Sequence, residues 1–268
     1  RCACERKGHM KHVWILNHYA QSPGSPGGTR HFSLAKSLPR YGWHASIIAA
    51  SVEHATGRER LSRGQEFLLE KYDEIPFLWL KTRAYTGNGI GRVNNMVDFA
   101  KAALRRKHLA SLERPDLIIG SSVHPLAALA GWQLARRHKV PFVFEVRDLW
   151  PQTLIDMKRL RAGSLQARAM ASLELFLYRR ACQIVTLLPF ANKYIVPLGI
   201  EEQKITWISN GADIESFPCY EYPKEPESGQ PFVLMYFGAH GEANGLDNVL
   251  RAFELARKMP GGDNLLLR

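Results

Sequence analysis

Short apolar runs alternate with longer amphipathic stretches along this chain, an order that predicts an α/β protein with a Rossmann-like, doubly wound parallel sheet. The first strand begins at Lys11 with HVWILN; after the loop HYAQSPGSPGGTR, an amphipathic helix, HFSLAKSLPRYG, ends near Gly42. A second strand, HASIIAAS, follows, and Pro76–Leu80 (PFLWL) gives a third. Residues 53–75 are charged and mixed and yield no assignment. The glycine-bearing KTRAYTGNGIGR reads as an exposed loop, leading to a helix over Val93–Leu112.

The clearest unit runs from Pro115 to Gln152. Its strand Leu117–Gly120 leads through two serines and a histidine to a helix opening at Pro125, because proline suits a first helical turn. The helix ends in Arg136-Arg137-His138-Lys139, whose charge matches the negative end of the dipole, and Val140-Pro141 breaks it. A second, mostly apolar strand covers Phe142–Val146, as expected for a parallel strand buried on both faces. Beyond it lie a helix from about Leu165 to Cys182, a strand QIVTLL, a helix from Pro189 to about Leu198 and a strand in ITWISNG.

Residues 212–231 hold four prolines and no period, which marks a linker. The strand FVLMYFG, a glycine-bounded turn and the helix LDNVLRAFELARKM then begin a second α/β lobe. The expected organisation is a prefix over 1–10, a main lobe over 11–211, the linker over 212–231 and the start of a second lobe over 232–268. Residues 1–9 precede Met10 without any pattern and read as non-native sequence.

Composition narrows the functional classes. At 268 residues and 46% hydrophobic content the chain can bury a large core. A formal charge of +11 with a pI near 9.6 points to an anionic partner: a membrane surface, a phosphorylated substrate or nucleic acid. No nucleic-acid recognition motif is present, so that partner is not expected. Cysteines at 2, 4, 182 and 219 lack zinc-ligand spacing and read as free thiols of a reducing cytoplasm. No apolar run reaches the roughly 18 residues of a membrane span.

Two strands deliver polar groups to one carboxyl edge: Ser121, Ser122 and His124 from the first, Glu145, Arg147 and Asp148 from the second. Open α/β sheets bind ligands at that edge. Gly27-Gly28-Thr29-Arg30, between a strand and a helix, is placed to approach phosphate through backbone N–H groups, or is an ordinary turn with its cap. The dinucleotide fingerprint G-x-G-x-x-G is absent, which argues against a nicotinamide enzyme. His124 reads plainly as a loop histidine bonded to backbone. Glu145 and Arg147 fall on one face by strand alternation and so admit a structural ion pair.

NHYAQSP and GGTRH after the first strand, the GNG loop at Gly87–Gly89, SSVHPLAALA, FEVRDLWPQT, the NGAD turn at Asn210–Asp213 and YFGAHGEANGLDN occur in one order. In these motifs, from Lys11 to about Met259, the chain resembles family 4 glycosyltransferases. Among them it is most similar to the bacterial L-fucosamine transferases of surface-polysaccharide synthesis.

The resemblance implies the two-lobed GT-B fold, with an acceptor-side first lobe and a donor-binding second lobe across a cleft. It implies retaining transfer from a nucleotide sugar to a lipid-linked or polysaccharide acceptor, without a metal or other cofactor. His124 then contacts the donor sugar near the reacting carbon, and Gly27, Gly28, Thr29, Gly238, His240, Gly241 and Asn244 meet donor phosphates. Arg30, Asn88, Ser122, Glu145, Arg147 and Asp148 form the acceptor side. The family's second lobe also carries a basic residue for the donor diphosphate and a paired-glutamate motif. Neither stands in this sequence, so a truncated product, inactive alone, is expected. The alternative is a non-catalytic module that binds glycan, membrane or a partner chain. The basic stretches over 79–107 and 158–180 read as solvated faces, or as a patch docking a cytoplasmic protein peripherally on an anionic inner leaflet.

Overall fold

The computed structural model describes residues 10–25, 29–54, 56–87, 89–212, 230–238, 240–241 and 244–268. The chain divides into two compact units, Arg1–Ala212 and Asp213–Arg268. In the first unit β1 (Lys11–Leu16), α1 (Arg30–Ser37), β2 (Trp43–Ala50), β3 (Phe67–Tyr72), β4 (Ile75–Leu80), α2 (Ile90–Ala103) and α3 (Arg106–Leu109) follow in order. Then come β5 (Leu117–Ser121), α4 (Pro125–His138), β6 (Phe142–Val146), α5 (Gln152–Asp156), α6 (Leu165–Arg180), β7 (Gln183–Thr186), α7 (Asn192–Ile195) and β8 (Ile205–Trp207).

The strands lie in the order β3-β4-β2-β1-β5-β6-β7-β8, all parallel except β3, which runs antiparallel to β4. This is the expected doubly wound sheet. Both faces are buried because strand period 2 sends alternate side chains to opposite layers. Val13 and Ile15 join Ile47, Phe77, Trp79 and Phe32 of α1, while Trp14 and Leu16 join Phe99, Leu134, Phe144 and Leu177 under α2, α4 and α6. Gly120 lets α4 approach β5: a Cβ there would lie 2.8 Å from Ala128 Cα and 2.9 Å from the Phe142 ring.

Three assignments change. Residues 53–75 contain β3, joined to β4 by Asp73 and Glu74, both in the left-handed region. The helix expected over Val93–Leu112 is broken at Arg105, whose backbone is extended; the buried His108 turns back to the Ala102 carbonyl and reaches Glu66. The segment after Pro189 forms only the short α7 and a following 3-10 turn.

In the second unit β9 (Phe232–Leu234) and β10 (Leu265–Leu267) pair in parallel, joined through α8 (Leu246–Arg257). Most of the expected linker lies outside the described residues. Among the described residues no helix is long and apolar enough to cross a membrane.

Candidate functional site

Strand order reverses between β1 and β5, so the connections leaving their carboxyl ends diverge and open a crevice, the place where such sheets take ligands. Asn17 and His18 leave β1 there, Ser122 and His124 leave β5, and Glu145 and Arg147 come from β6 and the residue after it. The polar groups on this edge form two networks, one towards the α1 face of the sheet and one towards the α2 and α4 face.

The first centres on Glu145, which is 3% exposed. Arg30 Nε donates to its Oε1 at 2.9 Å, and His31 Nε2 lies 2.6 Å from its Oε2. The tautomer of His31 follows from its neighbours. Asn17 Oδ1 accepts the Tyr19 N–H, which turns Nδ2 toward His31 Nδ1 at 2.8 Å; Nδ1 is therefore the acceptor and Nε2–H faces Glu145. Burial raises the carboxyl pKa, but His31 and Arg30 outweigh it and hold Glu145 well below the usual carboxylate range. Arg30 also donates to the carbonyls of Ile208 and Ser209, tying α1 to the segment after β8. The ion pair that alternation offered between Glu145 and Arg147 does not form: Arg147 lies just past the strand end, and Glu145 is taken by residues of α1.

The second network joins the crevice walls directly. His124, 1% exposed, has extended backbone and caps α4: its Nδ1 accepts the Ala127 N–H at 3.3 Å. Its Nε2 must then carry the proton, donated to His18 Nδ1 at 2.7 Å. Burial first, and Arg92 second, push His124 down to about 3. Burial, followed by His124, also lowers His18 well below its ordinary value. The pair is neutral at physiological pH, so His124 serves there as a neutral donor and helix cap. The positive end of α4, a helix of 14 residues, points into the same crevice.

Around this pair Tyr19 stacks on His54 with ring centroids 4.3 Å apart, and His54 Nδ1 lies 2.7 Å from Tyr85 Oη. Arg92 Nε donates to Tyr19 Oη at 3.2 Å. These rings form a half-exposed shelf beside the buried histidines. Ser122 latches the neighbouring loop: its N–H donates to the Glu145 carbonyl and its Oγ accepts the Arg147 N–H at 3.2 Å. Arg147 is half-buried and Asp148 exposed. Adjacent protein strips part of the Asp148 hydration and raises its pKa, with Arg147 and Arg92 pulling the other way.

The structure thus brings together Arg30, Ser122, His124, Glu145, Arg147 and Asp148. Thr29 caps α1 through its backbone carbonyl, without a side-chain bond. Gly27, Gly28 and Asn88 lie outside the described residues. In the second unit Gly238, with φ +154, follows β9; Asn244 N–H donates to the Gly241 carbonyl, His240 faces the Tyr236 ring, and left-handed Gly245 opens α8. This is a helix N-terminal turn of the kind that accepts anions. Sequence reasoning missed His18, His31 and Arg92 as members of the edge; the only signal was position, a histidine directly after a strand end and two in or beside flanking loops.

Residues 27–211 match the family model of the glycosyl transferase 4-like domain. Among curated proteins, none matches the chain. Of solved structures, sucrose-phosphate synthase from Thermosynechococcus elongatus is similar at a TM-score of 0.62 and 15% identity, over 93% of this chain and 60% of that one. Anabaena HepE in complex with UDP and glucose is similar at a TM-score of 0.52 and 16% identity, over 97% of this chain and 60% of its own. At such identities the likeness shows the fold, and the chain spans 60% of those proteins' length. On the match over 27–211, which covers every strand of the main sheet after β1, the chain belongs to the glycosyl transferase 4-like domain family.

Proposed function

We propose that this chain carries the acceptor side of a retaining glycosyltransferase that uses a nucleotide sugar and builds cell-surface glycan, with the L-fucosamine transferases as its nearest subgroup. The observation that carries the reading is the convergence of the His18–His124 pair, the α4 N-terminus and the Arg147-Asp148 loop on the β1/β5 crevice, with His124, α4 and Arg147-Asp148 inside the family-matched residues. HepE, of similar fold, holds UDP-glucose, which supports a nucleotide-sugar donor.

In such a transfer the bond from the anomeric carbon to the diphosphate breaks, its electron pair leaving with the diphosphate. An acceptor hydroxyl forms the new bond on the same face and passes its proton to the departing diphosphate. Negative charge grows on the leaving group, and a preorganised helix N-terminus stabilises it without drawing on a titrating side chain. In this reading His124 positions the donor sugar. Gly27, Gly28, Thr29 and the Gly238–Asn244 turn meet diphosphate, and Arg147 and Asp148 meet an acceptor phosphate and hydroxyl. Glu145, Arg30 and Ser122 act by holding that edge in shape. A lipid-linked acceptor accords with the basic 158–180 stretch, which would rest on an anionic membrane, whereas Lys81, Arg83, Arg105 and Lys107 of the 79–107 stretch are paired with carboxylates.

The test is transfer of radiolabelled sugar from a panel of nucleotide sugars to lipid-linked and polysaccharide acceptors, with the parent and His124→Ala in the full enzyme. The reading expects a large loss of turnover with little loss of folded protein. Unchanged turnover would remove His124 from the reaction, and saccharide binding without any transfer would favour a non-catalytic module.

A further inference from the structure

Where β5 and β6 begin, away from the polar crevice, a concavity of about 450 Å³ has Trp14, Leu109 and Leu112 in its floor and Arg106, Arg114 and Arg137 around its rim. Among the described residues none of these arginines is paired with a carboxylate, and the charges acting on the nearby His138 are those three guanidiniums alone. A groove of about 510 Å³ near α2 shows the opposite arrangement: Lys81 is matched by Glu59, Arg83 by Asp98, and Lys107 and Arg105 by Glu66. The chain pairs most cations of one depression with carboxylates and leaves the three arginines of the other without one.

Holding helix ends together accounts for only part of this. Arg137 donates to the Leu104 carbonyl at 2.7 Å, and Arg114 reaches the His138 carbonyl at 3.4 Å, each with one of three nitrogens; the Arg106 side chain makes no hydrogen bond among the described residues. The negative end of α4 opposes an anion here only weakly, because its carbonyls are already bonded. Its last carbonyls already accept the Lys139 and Val140 N–H groups, and the His138 carbonyl accepts from Arg114. Three guanidiniums lining one pocket suit a doubly charged phosphate better than a single carboxylate, and the indole and leucine floor suits an apolar group attached to it. We infer that this pocket binds a small phosphate monoester with an apolar or aromatic body, at a site separate from the sugar-transfer edge.

The probe is phenyl phosphate, titrated calorimetrically at low salt into the full chain. Saturable binding with Kd on the order of 1 mM is expected, with weaker binding of inorganic phosphate, which lacks the body, and of benzyl alcohol, which lacks the charge. Arg106→Gln and Arg114→Gln, both at exposed positions, should each weaken binding about tenfold with an unchanged melting temperature, and added salt should weaken it further. No saturable binding, or binding by both variants as tight as by the parent, would overturn the assignment. So would capture of phosphatidic acid vesicles without binding of phenyl phosphate, which would make the arginines a membrane-facing surface.

Discussion

Replacing Glu145 with Gln removes one charge and almost no volume, yet it reaches the centre of the α1, β1 and β6 junction. Both carboxylate oxygens accept hydrogen bonds, from Arg30 Nε at 2.9 Å and from His31 Nε2 at 2.6 Å. A glutamine keeps one acceptor and presents an NH₂ to the other donor, so one of the two bonds becomes a clash of donors. A hydrogen bond to a charged group contributes about 1.5–3 kcal/mol, and stranding one partner of a buried pair costs about 3–5 kcal/mol. Arg30 retains the carbonyls of Ile208 and Ser209, which places the variant near the lower bound, a loss of about 3 kcal/mol.

At roughly 2–4 °C per kcal/mol for a unit of this size, the melting temperature should drop by about 6–12 °C. All six tryptophans lie at or before Trp207, so their fluorescence in a urea titration reports the first unit alone. The pH dependence adds a sign. A carboxyl held below its ordinary 4.5 contributes stability in full above that value and loses it as pH falls toward the lower folded value. Parent and variant should therefore differ most at pH 7 and converge as pH falls below about 4.5. A variant melting within about 2 °C of the parent at pH 7 would refute the network as a structural keystone.

Three further outcomes follow from the same geometry. His124 is lowered to about 3 from 6.5, so stability should fall as pH drops below 6.5, by roughly 3 kcal/mol at pH 4, and His124→Asn, which keeps a cap, should flatten that slope in urea titrations; an unchanged slope would contradict the neutral pair. Glu174 is pushed up to about 7 by burial, against bonds from Tyr178, Trp150 and Tyr194. Its contribution is present below 4.5 and lost as pH rises through 7, so Glu174→Gln should be about 1–2 kcal/mol more stable than the parent at pH 8 and no better at pH 5, read by the same titrations. Gly120→Ala places a methyl 2.8 Å from Ala128 Cα and should cost about 1–3 kcal/mol; an unshifted urea midpoint would show that α4 is not held against β5 as described.

The doubly wound core was legible because parallel strands buried on both faces read as plain apolar runs, as in HVWIL and FVFEV, and because Pro125 and the basic Arg136–Lys139 end mark α4 at both termini. β3 was illegible for a local reason: its turn places Asp73 and Glu74 at positive φ, where glycine or asparagine is the usual signal. The break at Arg105 was hidden because its cause is distant. His108 gains a bond to the Ala102 carbonyl and a partner in Glu66, 42 residues away. Strand order placed Ser122, His124, Glu145 and Arg147 at the carboxyl edge, but the mutual pairing of Glu145 and Arg30 was not foreseeable. Their partnership spans 115 residues, and that of His18 with His124 spans 106. Periodicity places a residue on an edge; only the assembled sheet shows which way its hydrogen bonds turn.

The central claim is that the β1/β5 crevice is where sugar chemistry engages this chain. Hydrogen–deuterium exchange with and without a nucleotide-sugar panel and a soluble glycan acceptor tests it most directly. The account predicts slowed exchange at Tyr19–Ser22, Val123–Ala127 and Arg147–Trp150. Ligand-dependent protection confined to other segments, with those three unchanged, would contradict it.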